Sequence, residues 1–286
     1  MSFLIVLIGV IADRLMPALS EQRSDAWFHA AYREIYLRLP HDNAWPGLLL
    51  AAIAVLIPAL VTWSVLWLVY QAFPLLAYVL GLVVFIFMLG PRGLFAELQA
   101  YREAVARGNA QQVMAHAAEL LAPLPVPEDP QMRTRLVISR LLVLAGRRLF
   151  GVIFWYVVLG PTGAVMFRAA DILRHHAEVD SEATRDAARQ LYGVLEWAPS
   201  RILAGTYALA GSFDDAMAER RACYAESSGH FFEMNEDILA CTGRGALAFA
   251  EQLDEVGELD AANNLLFRAL VIWLAVLALL SLIGWT

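Results

Sequence analysis

Between Asn43 and Pro91 the chain runs for 49 residues without one charged side chain. A hydrocarbon core about 30 Å thick takes roughly 20 helical residues per crossing. The stretch is therefore long enough for two crossings. In lipid, helices of this kind must satisfy their own backbone hydrogen bonds. Gln71 to Pro74 is the natural turn. Trp63, Trp67 and Tyr70 gather towards it as an aromatic belt does, and Pro58 marks a kink in the first crossing. A second uncharged run, Ala269 to Thr286, is 18 residues long and reads as a final span. The expected fold is all-α, a polytopic helical membrane protein with cytoplasmic amphipathic helices.

Composition agrees. Hydrophobic residues make up 59% and charged residues 17%, against about 45–50% and 25% in soluble domains. All 21 basic residues are arginine, so the lysine of a Gly-x-x-x-x-Gly-Lys-[Ser/Thr] phosphate loop is excluded. The net charge of −7 is unevenly spread. Residues 91–148 carry eight arginines and five acids, and residues 212–267 carry three arginines and twelve acids. The acidic stretch argues against nucleic acid and against anionic headgroups as partners. The basic stretch belongs in the cytoplasm by the positive-inside rule, with the hairpin tip outside. If the acidic stretch is cytoplasmic too, Thr286 lies outside. Cys223 and Cys241, 18 apart, lack zinc-ligand spacing and read as thiols in a reducing compartment. No metal or cofactor is expected.

Five segments follow. Residues 1–91 form an N-terminal membrane region. Its first apolar run, Phe3 to Ala12, lacks both leading positive charge and a cleavage signal, and reads as a retained helix. Asp13 and Arg14 either snorkel at the interface or face the protein interior. An interfacial helix carrying Trp27 and Phe28 precedes the two-span hairpin. Residues 92–148 form a basic cytoplasmic helical segment. There Leu94, Leu98, Tyr101 and Val105 keep helical spacing, Gly108-Asn109 breaks it, and Pro123, Pro125, Pro127 and Pro130 make a connector. A helix beginning near Gln131 carries Arg133, Arg140 and Arg147 at sevenfold spacing, either a solvated row or an anion-binding stripe.

Residues 149–211 form a core with a broken helix. The uncharged stretch Leu149 to Phe167 is interrupted at Gly160-Pro161-Thr162-Gly163, which reads as a cavity wall or as a turn between interfacial helices. The adjacent His175 and His176 diverge on a helix and share no metal. Residues 202–213 are too short a run for a span. Residues 212–267 form an acidic cytoplasmic helical segment starting at Ser212-Phe213-Asp214-Asp215, and 268–286 the C-terminal transmembrane helix.

The stretch Arg147-Arg148-Leu-Phe-Gly-Val-Ile-Phe-Trp155, with Leu159-Gly-Pro-Thr-Gly-Ala164 and Arg168, resembles the bacterial AmpE family. Glu196-Trp-Ala-Pro-Ser-Arg201, Ala208-Leu-Ala-Gly211 and Asp13-Arg14-Leu15 extend the likeness over essentially the whole chain. The resemblance implies a multi-pass protein of the bacterial inner membrane, a signalling modulator linked to β-lactamase induction and muropeptide recycling. It further implies a cytoplasmic amidase as partner.

More distantly, the same stretch is similar to membrane-bound adenosylcobinamide-phosphate synthases. Their Phe-Trp, Gly-rich turn, Tyr-Arg-Ala-x-Asn and Trp-x-Pro-Ala-Arg match Phe154-Trp155, Gly160 to Gly163, Phe167-Arg168-Ala169-Ala170-Asp171 and Trp197-Ala198-Pro199-Ser200-Arg201. Just before Phe-Trp those enzymes carry a Glu-Asn pattern, where this chain has Val143-Leu-Ala-Gly-Arg147-Arg148. With that carboxylate and amide gone, no catalytic residue is assigned, and a membrane-bound ligase or transferase is the alternative to a regulator. As an enzyme it would rely on Asp171 and Glu196. No Gly-x-Ser-x-Gly elbow points to a hydrolase, and no internal repeat points to a transporter. The expected ligand site is a membrane-proximal pocket built from Arg147, Arg148, Arg168, Asp171, Glu196, Trp197 and Arg201, with Asp13 and Arg14. Its arginine forks suit the carboxylates or phosphates of a muropeptide or nucleotide.

Overall fold

The computed structural model describes residues 2–15, 23, 25–36, 44–90, 93–175, 182–226, 234–248 and 253–284. Every regular element among the described residues is a helix. In chain order they are α1 (Ser2–Leu15), α2 (Ala26–Tyr36), α3 (Ala44–Ala72), α4 (Pro74–Met88), α5 (Leu94–Ala106), α6 (Ala110–Leu121), α7 (Pro130–Ala145), a π-helical turn (Gly146–Phe150), α8 (Gly151–His175), α9 (Glu182–Ala210), α10 (Phe213–Glu226), α11 (Met234–Leu247) and α12 (Glu255–Leu282). They fold as two compact units. One comprises Met1–Pro91, Arg147–Pro199 and Leu280–Thr286, and the other Arg92–Gly146 and Ser200–Leu279.

Among the described residues three helical stretches are long and apolar enough to cross a membrane: Gly47–Ala72, Pro130–His175 taken through its π turn and Gly160 break, and Glu255–Leu282. On α3 the outward face is Leu56, Leu60, Val61, Trp63, Trp67 and Leu68, all exposed. An apolar surface of that extent belongs against lipid. The chain is a membrane protein. The turn expected at Gln71 to Pro74 is present, since α3 ends at Ala72 and Pro74 opens α4. The second arm differs from expectation. At 15 residues, α4 is about 22 Å long, short of a full crossing. Its end is satisfied by protein instead of water. Arg23 donates to the carbonyls of Leu89 and Gly90, and the Gly90 N–H donates to the Arg148 carbonyl. The final helix is longer than the uncharged run alone, because it starts at Glu255. Trp285 and Thr286 lie outside the described residues.

In the first unit α8 is the organising element. It breaks at Gly160, whose φ of 67° and ψ of −156° are left-handed and non-helical. Arg147 and Asp171 are 24 residues apart, yet Arg147 Nε lies 2.9 Å from Asp171 Oδ1. A continuous helix would separate them by about 36 Å. The chain therefore doubles back at Gly160 into a hairpin with arms about 18 Å long. The close approach depends on Gly163, where an added Cβ would stand 2.2 Å from the Trp155 carbonyl oxygen. The Trp155 indole N–H donates to the Leu195 carbonyl, 3.0 Å away, and ties the hairpin to α9. On α2, Phe28 and Tyr32 form the buried stripe while Trp27 faces out, as an interfacial helix requires. His176 and Leu37 lie outside the described residues.

In the second unit, Asn109 caps α6 and Asp129 caps α7, each accepting a backbone N–H. The α7 start at Pro130 is one residue from the expected Gln131. Val137, Ile138, Leu141 and Leu142 form its buried face. A polar seam fixes the start of α12. Thr134 donates to Glu255, Arg135 pairs with Glu258, and Arg102 pairs with Asp260. The sevenfold arginine row is not a free stripe: Arg133 donates to the carbonyls of Pro127 and Glu128, and Arg140 faces Glu236 at 3.6 Å. Cys223 and Cys241 form a disulfide between α10 and α11, Cα atoms 6.5 Å apart. That corrects the expectation of two free thiols.

Gly163→Ala is expected to force the hairpin arms apart and to cost about 1–3 kcal/mol. Thermal unfolding in detergent checks it, with Gly205→Ala, which meets nothing within 4 Å inside a helix, as the control expected to melt at or above the wild-type temperature.

Candidate functional site

The base of the α8 hairpin gathers charge. Asp171 is 2% exposed and accepts from two arginines: Arg147 Nε at 2.9 Å on Oδ1, and Arg168 Nη1 at 2.7 Å on Oδ2. A carboxylate taken out of water needs such partners, because an unpaired buried charge costs several kcal/mol. Arg168 turns its other terminal nitrogen to Asp25, reaching both carboxylate oxygens at 2.9 and 3.0 Å. His175, one turn beyond Asp171, places Nδ1 3.1 Å from Arg147 Nη2 and 2.8 Å from the Asp171 carbonyl. Accepting from the arginine needs Nδ1 bare, and donating to the carbonyl needs it protonated. The ring is the adaptable member of the cluster.

Two local devices build this base. The π turn Gly146–Phe150 widens the helix where Arg147 and Arg148 stand side by side. Such π turns recur at functional sites. Both side chains line one cavity with Asp25, His29, Arg168, Asp171, Ile172 and His175, about 190 Å³ in volume. The second device is Arg23, 5% exposed, which pairs with Asp13 and caps the end of α4. It holds the start of α2, and with it Asp25, over the hairpin base.

The structure thus brings four of the nine expected residues, Arg147, Arg148, Arg168 and Asp171, to one cavity. The other five stand elsewhere. Asp13 is engaged by Arg23, and Arg14 faces outward on α1. Glu196 is buried on α9, where Tyr192 donates to it at 2.9 Å and Arg174 approaches at 3.7 Å. Trp197 is 39% exposed. Arg201 lies in the second unit and donates to Asn235 at 2.6 Å. Sequence reasoning missed Arg23, Asp25 and His29. They sit in the stretch read only as interfacial, and no spacing links them to residues more than 100 positions away. Among the described residues no cluster of three His, Cys, Asp or Glu can hold a metal ion.

Asp171→Asn should leave two buried guanidinium groups short of charge and lower stability by about 3 kcal/mol. Glu196→Gln, which keeps an acceptor for Tyr192, should cost less than half as much. Denaturant unfolding followed by helical circular dichroism distinguishes them.

Among curated proteins, the cobalamin biosynthesis protein CobD of Chromobacterium violaceum is 26% identical over 202 residues, covering 69% of this chain. The matched region spans 62% of that protein's own length. No solved structure matches. The profile of the family described as regulatory signalling modulator protein AmpE matches residues 1–285. The chain, with its hairpin closed by paired arginines, belongs to the AmpE family.

Proposed function

We propose that this protein is a multi-pass modulator in the bacterial inner membrane that senses an anionic ligand of cell-wall recycling and so adjusts β-lactamase induction. The observation that carries the ligand reading is the cavity at the hairpin base, with three arginines against two aspartates in about 190 Å³. That surplus of cation favours a carboxylate or phosphate, and the planar guanidinium matches both. Muropeptides and nucleotides carry such groups. The arginine-rich 92–148 segment supports a cytoplasmic orientation, where a soluble amidase could read the liganded state.

The match to a cobalamin biosynthesis protein supports a second reading, a ligase or transferase. Its weakness lies in the carboxylates. Asp171 is held by two arginines, and Glu196 by Tyr192 and Arg174. Neither is poised for acid–base work. Metal-dependent nucleotide turnover by the purified protein would establish that reading and displace the first.

Two outcomes test the proposal. Detergent-purified protein should bind an anionic anhydromuropeptide in calorimetry, and Arg168→Ala should weaken binding at least about tenfold, the loss expected for one buried charge-assisted contact. Unchanged affinity removes the cavity from the account. The side of the membrane is tested through the cysteines. Disulfides persist in oxidising compartments and thiols in the cytoplasm. The structure joins Cys223 to Cys241, and a cytoplasmic unit would keep that pair reduced until it met air, so thiols trapped by acid quenching of growing cells support the cytoplasmic side. A disulfide in freshly quenched cells would place that unit outside.

A further inference from the structure

We infer that the Asp25 carboxylate occupies, in the resting protein, the place on Arg168 where the ligand's anionic group binds, so that ligand uptake exchanges one anion for another. This rests on the reading of the hairpin-base cavity as an anion site, and it adds what keeps that site closed and what chemical group opens it.

The two carboxylates on Arg168 are not equivalent. Asp171 belongs to the same hairpin arm, three residues on, and its side chain is 2% exposed between two arginines. Pulling it away would strand two buried cations, so it is a fixed part of the wall. Asp25 arrives from a different element, the start of α2, 143 residues away in sequence. Its side chain is 31% exposed. On leaving Arg168 its carboxylate stands beside solvent and regains hydration there. Arg168 itself is buried to 6% of its side-chain area and cannot follow. Once vacated, its Nη2 needs another acceptor, because a buried guanidinium left unpaired is costly.

The geometry states what that acceptor must be. Arg168 Nη2 touches both oxygens of Asp25 at 2.9 and 3.0 Å, an edge that a carboxylate or a phosphomonoester reproduces. Arg147 and Arg148 share the cavity wall and add positive charge to it. The volume of about 190 Å³ equals roughly six waters at their liquid volume. It admits one anionic group and a few attached atoms. The ligand is therefore gripped by a terminal carboxylate or phosphate while its bulk stays outside the cavity. Removing the internal competitor should tighten binding, because the apparent dissociation constant is the intrinsic one divided by the open fraction.

The test uses full-length protein in detergent with inorganic phosphate and acetate as probes, in calorimetry at fixed ionic strength. Asp25→Ala and Asp25→Ser are expected to bind one or both probes about tenfold tighter than wild type. Asp186→Ala removes the same formal charge from an exposed position on α9 and is expected to leave affinity unchanged. Helical circular dichroism and melting confirm that each variant is folded. Wild-type binding that is unchanged or weakened in both folded Asp25 variants would overturn the exchange while leaving the anion site standing. An equal gain in Asp186→Ala would also overturn it, reducing the effect to net charge. Absence of binding in wild type and both Asp25 variants would overturn the anion site together with the exchange.

Discussion

One carboxylate shared by two guanidinium groups holds the rest in place. Asp171 joins Arg147 at one foot of the α8 hairpin to Arg168 on the other arm. Without that clamp, two antiparallel helical arms with a left-handed break between them would have only apolar packing to hold their register, and apolar packing is weakly directional. Burial makes the clamp all-or-none. A carboxylate at 2% exposure is stable with both cations and unstable with fewer. The π turn is part of the same device, since it carries Arg147 and Arg148, which line one cavity.

The Gly160 break frees backbone groups at the hairpin tip, and in an apolar setting such groups must find protein partners. The tip meets a second cavity, about 310 Å³, walled by Trp63, Trp67, Tyr70, Tyr78, Tyr156 and the Gly160–Thr162 break. The two ends of one hairpin thus have opposite character: a base lined by charged groups and a tip lined by aromatic rings. The short α4 follows the same logic. It stops early because Arg23 and Arg148 supply the partners that its last groups would otherwise take from water.

Much of this architecture was legible from charge alone. A run of 49 uncharged residues admits few structures besides lipid-facing helices, and Gly160-Pro161 announces a break wherever it falls in a helix. The clamp was half legible: Arg147, Arg168 and Asp171 stand out as charges flanking an apolar stretch, but which of them touch depends on where the chain reverses. Glu196 and Arg201 were drawn to the site because they share a motif. They are five residues apart on α9, which points them to different sides, and Glu196 is taken by Tyr192 one turn away. Asp25 was invisible for a different reason. An acid in a mixed amphipathic stretch looks like solvated surface, and only tertiary structure brings it to Arg168.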